Sequence, residues 1–166
     1  MRVERATRAD LDAIREAYEH ARAIQRARAA EAWPEFTNVS ILAEIDSGRL
    51  FRVMHDGALV GVFSVAYDDA AIWSERERGE HVYLHRIARA ASATVSGIVD
   101  AALEWARAHC RELGRVGLRM DTWASNRALI AYYEARGFRV VAHRRIEVDP
   151  RLPPHYYHRE FTLLEE

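Results

Sequence analysis

The stretch from Asp121 to Phe138 constrains this chain most, because it predicts a helix with a defined start and a defined end. Ser125 and Asn126 are residue types that cap helix N-termini, and Gly137 supplies the left-handed position at which helices end. A step of seven residues along a helix returns to within about 20° of the starting direction. Asn126 and Tyr133 therefore share one face of the helix, roughly 10 Å apart along its axis. This pair is a candidate for function, although a tyrosine on an apolar stripe is equally typical of a core.

The length and composition are those of a globular protein with one core. The 166 residues are too few for two ordinary domains, so we expect a single domain over residues 1–166. No apolar run approaches the roughly 20 residues that span a membrane, and the charged N-terminal sequence MRVERATRAD is unlike a signal peptide. We therefore expect a cytoplasmic protein with no membrane partner.

The cysteine and lysine content excludes several kinds of site. Cys110 is the only cysteine, which excludes an internal disulfide and a cysteine-based metal site. All 24 basic residues are arginine, which excludes a P-loop lysine and a Schiff-base lysine. The formal net charge of −1 gives no indication of a nucleic-acid partner.

Apolar periodicity predicts one strand, two helices, three strands, a helix, a strand, a helix and two strands. The predicted strands are 3–6, 50–54, 59–66, 81–89, 116–120, 138–148 and 157–163. The predicted helices are 11–28, 38–46, 97–113 and 127–136, and residues 68–79 are predicted to be a polar loop. The Asp56-Gly57 pair predicts a hairpin between the second and third strands.

The predicted strand at 81–89 carries two histidines that could act in catalysis. A period of two places His81, Tyr83, His85 and Ile87 on one face. A histidine with a pKa near 6.5 is suited to accept a proton at neutral pH, although a strand histidine is more often structural. A zinc site is less favoured because no third histidine stands at a diagnostic spacing, so we expect no metal.

The segment of Asn126, a helix, Tyr133-Glu134 and Gly137-Phe138 resembles the last signature segment of GCN5-related N-acetyltransferases, the GNAT family. The order of elements is similar to that family's fold over essentially the whole chain. The resemblance implies an α/β (α+β) fold with a mixed, mostly antiparallel central sheet and helices on both faces. It also implies transfer of an acetyl group from acetyl-CoA to a primary amine of a small molecule or peptide.

The resemblance assigns roles to particular residues. Tyr133 would protonate the leaving thiolate, and either His85 or His81 would be the general base, with His85 favoured. The backbone of Ile87 and Arg89 would pair with the pantetheine arm. The complete set of implied cofactor contacts is Ile87, Arg89, Thr94, Ser96, Gly97, Ile98, Val99, Asn126 and Arg127.

The loop before the 97–113 helix departs from the family pattern, which has Arg or Gln, two residues, Gly, one residue, and Gly or Ala. This chain has Thr94-Val-Ser-Gly97-Ile-Val99, so only the first glycine is kept. The missing basic residue predicts weak diphosphate binding unless Arg89 or Arg127 replaces it. The alternative function is therefore a non-catalytic acyl-CoA-binding or interaction protein on the same fold.

Aromatic residues near the first two helices and the final strands could line an acceptor site. They are Trp33, Phe36, Trp73, Tyr156 and Tyr157. Such rings suit an apolar or cationic acceptor, but the same residues are as readily explained as partly exposed core or as contacts of a homodimer.

Overall fold

The computed structural model describes residues 1–28 and 31–166, and its strands and α-helices follow the predicted order with one additional α-helix. The strands are β1 (Arg2–Arg5), β2 (Leu50–His55), β3 (Ala58–Ala66), β4 (His81–Arg89), β5 (Gly117–Trp123), β6 (Arg139–Arg145) and β7 (Glu160–Glu165). The α-helices are α1 (Leu11–Ala27), α2 (Asn38–Asp46), α3 (Ala70–Trp73), α4 (Ile98–Glu112) and α5 (Arg127–Glu134). The addition is α3, which lies in the predicted loop and begins where the Asp69 side chain accepts a hydrogen bond from the Ile72 N–H.

The seven strands are hydrogen-bonded in the order β1-β2-β3-β4-β5-β7-β6. The pairs β1–β2, β2–β3, β5–β7 and β6–β7 are antiparallel, whereas β4 and β5 run parallel. The predicted fold class, a mixed and mostly antiparallel sheet flanked by helices, is therefore confirmed.

The chain forms two compact units, and strand β4 contributes residues to each of them. The first unit contains Met1–Val65 and Leu84–His109, and the second contains Ala66–Tyr83 and Cys110–Glu166. The prediction of one domain over residues 1–166 stays a prediction.

In the first unit, helices cover both faces of the sheet. Successive residues of a strand point to opposite sides, so neighbouring residues of β2 and β3 contact different helices. Leu50 and Val62 belong to the core that contains the buried side chains of α1 and α2. Phe51 and Phe63 point the other way and contact Trp105 of α4, with ring centroids 4.2 and 5.5 Å apart.

In the second unit, the C-terminal strand β7 lies between β5 and β6. Its core contains six buried side chains from α3, the strands and the loop after β6: Ile72, Trp73, Tyr83, Ile146, Phe161 and Leu163. The last residues of the chain therefore complete the sheet of this unit.

Local sequence signals were reliable at turns and less so at strand ends. The hairpin is confirmed, with φ of 49° at Asp56 and 80° at Gly57. Strand β6 ends at Arg145, three residues before its predicted end, and β7 begins at Glu160 because the left-handed His158 interrupts extended structure.

No helix in the described ranges combines the length and the apolar character that a membrane span requires. The predicted cytoplasmic location and homodimer stay predictions.

Candidate active site

Strand β4 has an irregular backbone at Arg86, where the sequence predicts regular alternation. Arg86 has a φ of 52°, and a left-handed residue breaks the period of two that would place His85 and Ile87 on one face. Both neighbours are half-buried. Burial, together with the positive charge of Arg86, lowers the pKa of His85 to about 4. His85 is therefore neutral at pH 7 and holds an added proton weakly.

The predicted cofactor residues beyond β4 form an exposed loop that leads into α4. Gly97 has a φ of +82°, and a Cβ at this position would meet nothing within 4 Å, so the backbone conformation is what requires glycine. Thr94 and Ser96 are exposed and Val99 is half-buried. Ile98 is buried, so its side chain is not a candidate for ligand contact.

Ile98 packs the first turn of α4 against β3. A Cβ on Gly61 would lie 2.4 Å from the Ile98 side chain and 3.1 Å from the Ala88 carbonyl, so Gly61 is what allows this close approach. The first bond of the helix joins the Ala101 N–H to the Gly97 carbonyl at 2.9 Å. The first turn of a helix lies at its positive end and presents backbone N–H groups there, an arrangement that suits phosphate.

Arg89 stabilises the loop that follows β4. Its side chain is at the end of the strand, and its guanidinium donates a hydrogen bond to the Ala93 carbonyl. The Ala93 N–H in turn donates to the Ala90 carbonyl at 3.1 Å, which closes the loop as a turn. The family pattern has a basic residue at the position that Thr94 occupies in this chain. The Arg89 guanidinium contacts Ala93, the residue that precedes Thr94.

The start of α5, in the second unit, confirms the predicted helix cap. The Asn126 side-chain oxygen accepts a hydrogen bond from the Leu129 N–H at 3.2 Å. Its NH₂ group is therefore the part of the side chain that could donate to a ligand. Arg127 follows at the first helical position and is exposed. Gly137 has a φ of 99° and lies just beyond the helix end, as predicted.

Tyr133 lies on α5 with 8% of its surface exposed. Its ring contacts the rings of Tyr132 and Phe138, with centroids 5.6 and 5.9 Å apart. Burial and then Tyr132 raise the pKa of the Tyr133 hydroxyl above its ordinary value, against the opposing charge of Arg136. The hydroxyl is consequently protonated at neutral pH, as a proton donor must be.

His81 lies in the interior of the second unit and is 6% exposed. Its Nε2 is 3.6 Å from Glu165, which also pairs with Arg119 at 2.7 Å. Burial and the charge of Arg119 lower the pKa of His81, and Glu165 opposes them. This environment favours a structural role for His81.

Two aspartates of the second unit form a carboxylate pair. Asp121 is on β5, and Asp69 caps α3. A carboxylate oxygen of Asp121 lies within 4.8 Å of a carboxylate oxygen of Asp69. Burial and the charge of Asp69 raise the pKa of Asp121 to about 7. Burial, assisted by Glu77, raises the pKa of Asp69 to about 6, although a hydrogen bond from the Ile72 N–H opposes this. Carboxyl groups that titrate near neutral pH are typical of functional sites.

Sequence analysis identified neither aspartate. Aspartate is depleted in strands, so Asp121 between Met120 and Thr122 was a local exception that could have indicated a functional position. Asp69 offers no comparable signal, because a polar residue before a short helix is an ordinary cap. Its proximity to Asp121 arises only from the fold.

Two aromatic candidates, Trp33 and Phe36, belong to the first unit. Together with Tyr18 they form a trio in which Phe36 lies 4.8 Å from Tyr18 and 6.1 Å from Trp33. The backbone of Trp33 is fixed from α1, since its N–H donates to Gln25 at 2.8 Å and its carbonyl accepts from Arg22 at 3.0 Å. Both candidate rings remain partly exposed, so they are available to a ligand.

The other aromatic candidates belong to the second unit and differ in burial. Trp73 is 1% exposed and packs in the core, which favours the alternative of a core residue over a residue that lines the acceptor site. Tyr156 stacks on Phe161 at 5.1 Å and lies 5.8 Å from Trp123. The Tyr157 hydroxyl donates to the Asp149 carbonyl at 3.0 Å, which fixes the loop before β7.

Comparison with known proteins gives one family and several similar structures. The model of the acetyltransferase (GNAT) family matches residues 11–138. An acetyltransferase of the GNAT family from Listeria monocytogenes is 18% identical, with a TM-score of 0.77 over 99% of this chain and 93% of that chain. A ribosomal-protein-alanine N-acetyltransferase from Brucella melitensis is 19% identical, with a TM-score of 0.69 over 100% of this chain and 99% of that chain.

A third similar structure, from Salmonella typhimurium, was determined with its cofactor acetyl-CoA. It is 18% identical, with a TM-score of 0.69 over 100% of this chain and 92% of that chain. Identities this low show the fold alone. No curated protein matches this sequence.

Proposed function

The chain belongs to the acetyltransferase (GNAT) family, and from this premise we propose that it transfers an acetyl group from acetyl-CoA to a primary amine of a small molecule or peptide. The observation that carries the proposal is the start of α4. Gly97, in the left-handed conformation, precedes the first turn of this helix, and the loop before it is exposed. A helix N-terminus that is reached through such a loop suits a diphosphate. This turn lies within the residues that the family model matches. GNAT enzymes use acetyl-CoA as their co-substrate.

We propose that the first unit binds the diphosphate and the pantetheine arm. The groups that would contact the diphosphate are the backbone N–H groups of Gly97, Ile98 and Val99 and the exposed side chains of Thr94 and Ser96. Arg89 would supply the positive charge that the family pattern places at position 94. The backbone of Ile87 and Arg89 would pair with pantetheine.

The second unit contributes polar groups of its own to the proposal. The free NH₂ of the Asn126 side chain would donate a hydrogen bond to a carbonyl of the cofactor. Arg127, exposed at the start of α5, is a second candidate for charge compensation. Tyr133 would be the general acid, since its hydroxyl is protonated at neutral pH.

The proposed reaction forms a C–N bond at the acetyl carbonyl carbon and breaks the C–S bond of the thioester. The acceptor must first lose a proton, because an amine with a pKa near about 10 is mostly ammonium at neutral pH. The nitrogen loses a second proton to solvent as the amide forms, the departing thiolate takes a proton from Tyr133, and Tyr133 regains one from solvent. The products are the acetylated amine and CoA.

We propose Asp121 as the group that accepts the proton of the amine. Its pKa of about 7 makes it partly ionised at neutral pH and still basic enough to hold a proton. His85, the choice from sequence, remains the second candidate, and its pKa of about 4 makes it the weaker base. His81 is the third candidate, and its place beside Glu165 argues for a structural role.

The experiment that tests this function measures acetyl-CoA binding and thiol release separately. Calorimetric titration gives the affinity for acetyl-CoA, and a thiol-specific reagent detects CoA released in the presence of a panel of small amines and short peptides. We expect binding and amine-dependent release by at least one acceptor, confirmed by the mass of the acetylated product. Absence of binding would contradict the proposal.

The rival function, a non-catalytic acyl-CoA-binding protein, is favoured by the loss of the family's basic residue at position 94. It predicts binding of acetyl-CoA without release across the whole panel. The control is acetyl-CoA incubated with the same amines without the protein, because a release that is no faster with the protein present reflects uncatalysed hydrolysis.

A further inference from the structure

Arg86 has an unusual backbone conformation for a residue inside a strand. Its φ of 52° lies in the left-handed region, which residues with a Cβ avoid. The other non-glycine residues with positive φ in the described ranges are Asp56, Ser74 and His158, and they lie in turns or at a helix end. A strained residue inside a strand persists only where its surroundings hold it, and such residues concentrate at functional sites.

The side chain of Arg86 is held by two other elements of the first unit. Its Nη2 donates a hydrogen bond to the carboxylate of Glu44 on α2 and another, of 3.0 Å, to the hydroxyl of Ser64 on β3. Its guanidinium also lies over the ring of Phe36, with Cζ 5.2 Å from the ring centroid. Ser64 is buried, whereas the side chains of Arg86 and Glu44 are 25% and 27% exposed.

The contacts of Ser64 return to the backbone of β4. The Ser64 hydroxyl accepts from Arg86 and donates to the carbonyl of His85 at 3.4 Å. The side chain of Arg86 is thereby linked to the peptide bond that precedes Arg86 itself. We call the set of Glu44, Ser64 and Arg86 the β4 clamp.

The position of the clamp matters because of the residue that follows it. A left-handed residue turns the next peptide out of the alternating pattern of a strand, and here the next N–H belongs to Ile87. Ile87 is half-buried and is one of the two residues whose backbone is proposed to contact the cofactor. A donor held in one fixed direction is what a carbonyl that gains negative charge requires.

We infer that Arg86 is a positioning residue for acetyl transfer, which holds β4 so that the Ile87 N–H donates to the acetyl carbonyl oxygen of acetyl-CoA. This inference rests on the proposed function. The β4 clamp acts through the backbone and does not itself touch the reacting atoms. Its loss therefore affects recognition of the acetyl group more than recognition of the rest of CoA.

The test compares the affinities for acetyl-CoA and for CoA, measured by calorimetry on the full chain. Ser64→Ala and Glu44→Gln each remove one contact of the clamp, and Asp46→Asn is the matched control. Asp46 is on the same helix as Glu44, but its partner is the exposed Arg8, at 2.5 Å. Thermal unfolding followed by circular dichroism confirms that each variant is folded.

We expect the ratio of acetyl-CoA affinity to CoA affinity to fall about two- to tenfold in both clamp variants, the range that one lost hydrogen bond predicts. The Asp46→Asn ratio should equal that of the unaltered protein. An unchanged ratio in the two folded clamp variants overturns the inference while leaving the proposed function intact. Failure of the unaltered protein to bind either compound contradicts the proposed function itself.

Arg86→Gly supplies a second test, because glycine adopts a positive φ without strain and does not need the clamp. If the clamp acts by holding this conformation, Ser64→Ala should have no further effect on the affinity ratio in the Arg86→Gly background. Additive effects of the two changes would show that Ser64 acts independently of Arg86, and the inference would be wrong.

Discussion

A role in catalysis and a role in packing predict different effects of substituting Tyr133. Phenylalanine keeps the ring contacts with Tyr132 and Phe138 and removes only the hydroxyl. If Tyr133 protonates the thiolate, Tyr133→Phe should leave the fold intact and slow turnover by about 10²- to 10⁴-fold. The measurement is kcat under conditions in which the chemical step limits the rate.

The adjacent tyrosine provides the control for this substitution. Tyr132 is on the same helix, and its ring lies 3.5 Å from the Arg136 guanidinium carbon. Tyr132→Phe should therefore change kcat little. Equal and small effects of the two substitutions would assign Tyr133 to packing alone.

The identity of the base can be determined from the pH dependence of kcat/KM. A general base must be deprotonated, so the rate rises with pH and levels off above the pKa of that group. With Asp121 as the base, the rise should be centred near 7, whereas with His85 it should be centred near 4 and the rate should be flat from about pH 6 to 8.

Substitution distinguishes the same alternatives independently. Asp121→Asn should abolish the rise of kcat/KM with pH that is centred near 7, and it should lower kcat/KM by about 10²- to 10⁴-fold. His85→Ala should keep this rise. The reverse pattern, with the rise near pH 7 lost only in His85→Ala, would restore the choice made from sequence.

Among single residues, sequence analysis succeeded where the reason for the residue is local. The cap at Asn126 and the left-handed turn at Gly137 depend on neighbouring backbone alone. The conformation of Arg86 depends on Glu44 and Ser64, which are 42 and 22 positions away in the chain. No local pattern encodes such contacts.

At the level of elements, the loop between β4 and α4 carries the departure from the family pattern. Thr94 is exposed and precedes the positive end of α4, so Thr94→Arg would place a guanidinium beside the proposed diphosphate site. A charge-assisted contact contributes about 1.5 to 3 kcal/mol, and about 1.4 kcal/mol is tenfold in affinity. We expect acetyl-CoA to bind about tenfold tighter or better in calorimetry, with the gain shrinking as salt rises.

Arg89→Ala and Arg127→Ala test whether a native arginine already supplies this charge. Arg89 is the stronger candidate because it belongs to the same loop, through its bond to the Ala93 carbonyl. If either arginine neutralises the diphosphate, its removal should weaken binding and Thr94→Arg should then add little. Unaltered affinity in all three variants would mean that the diphosphate binds elsewhere.

Elements were predicted best where one face is apolar and the chain reverses at a turn. The helices α1, α2, α4 and α5 and the hairpin were each recognisable on these grounds. Helix α3 was missed because four residues are too few to show a helical period. The sheet order, with β7 between β5 and β6, was not predicted, because pairing between distant strands leaves no local pattern.

For the molecule as a whole, we expect Glu165 on β7 to contribute to stability through its ion pairs with Arg119 and Arg139. Glu165 on β7 accepts from the buried Arg119 at 2.9 Å and from the exposed Arg139 at 3.0 Å. Burial tends to raise the pKa of Glu165, but the hydrogen bonds from these two arginines outweigh it and the pKa is lowered. A carboxyl group whose pKa is lower in the folded state stabilises that state above its unfolded pKa, and this contribution is lost as pH falls.

Glu165→Gln should therefore destabilise the protein at pH 7 and have less effect in acid. Removing one partner leaves Arg119 buried without its counter-charge, for which we expect a loss of about 3 to 5 kcal/mol in the free energy of unfolding. Glu160→Gln, on the exposed start of the same strand, is the matched control and should change stability little. Urea unfolding at pH 7 and near pH 3.5 provides the measurement, and the difference between Glu165→Gln and the unaltered protein should shrink at the lower pH because the carboxylate then becomes protonated. A difference of equal size at both values would mean that the charge of Glu165 does not stabilise the fold.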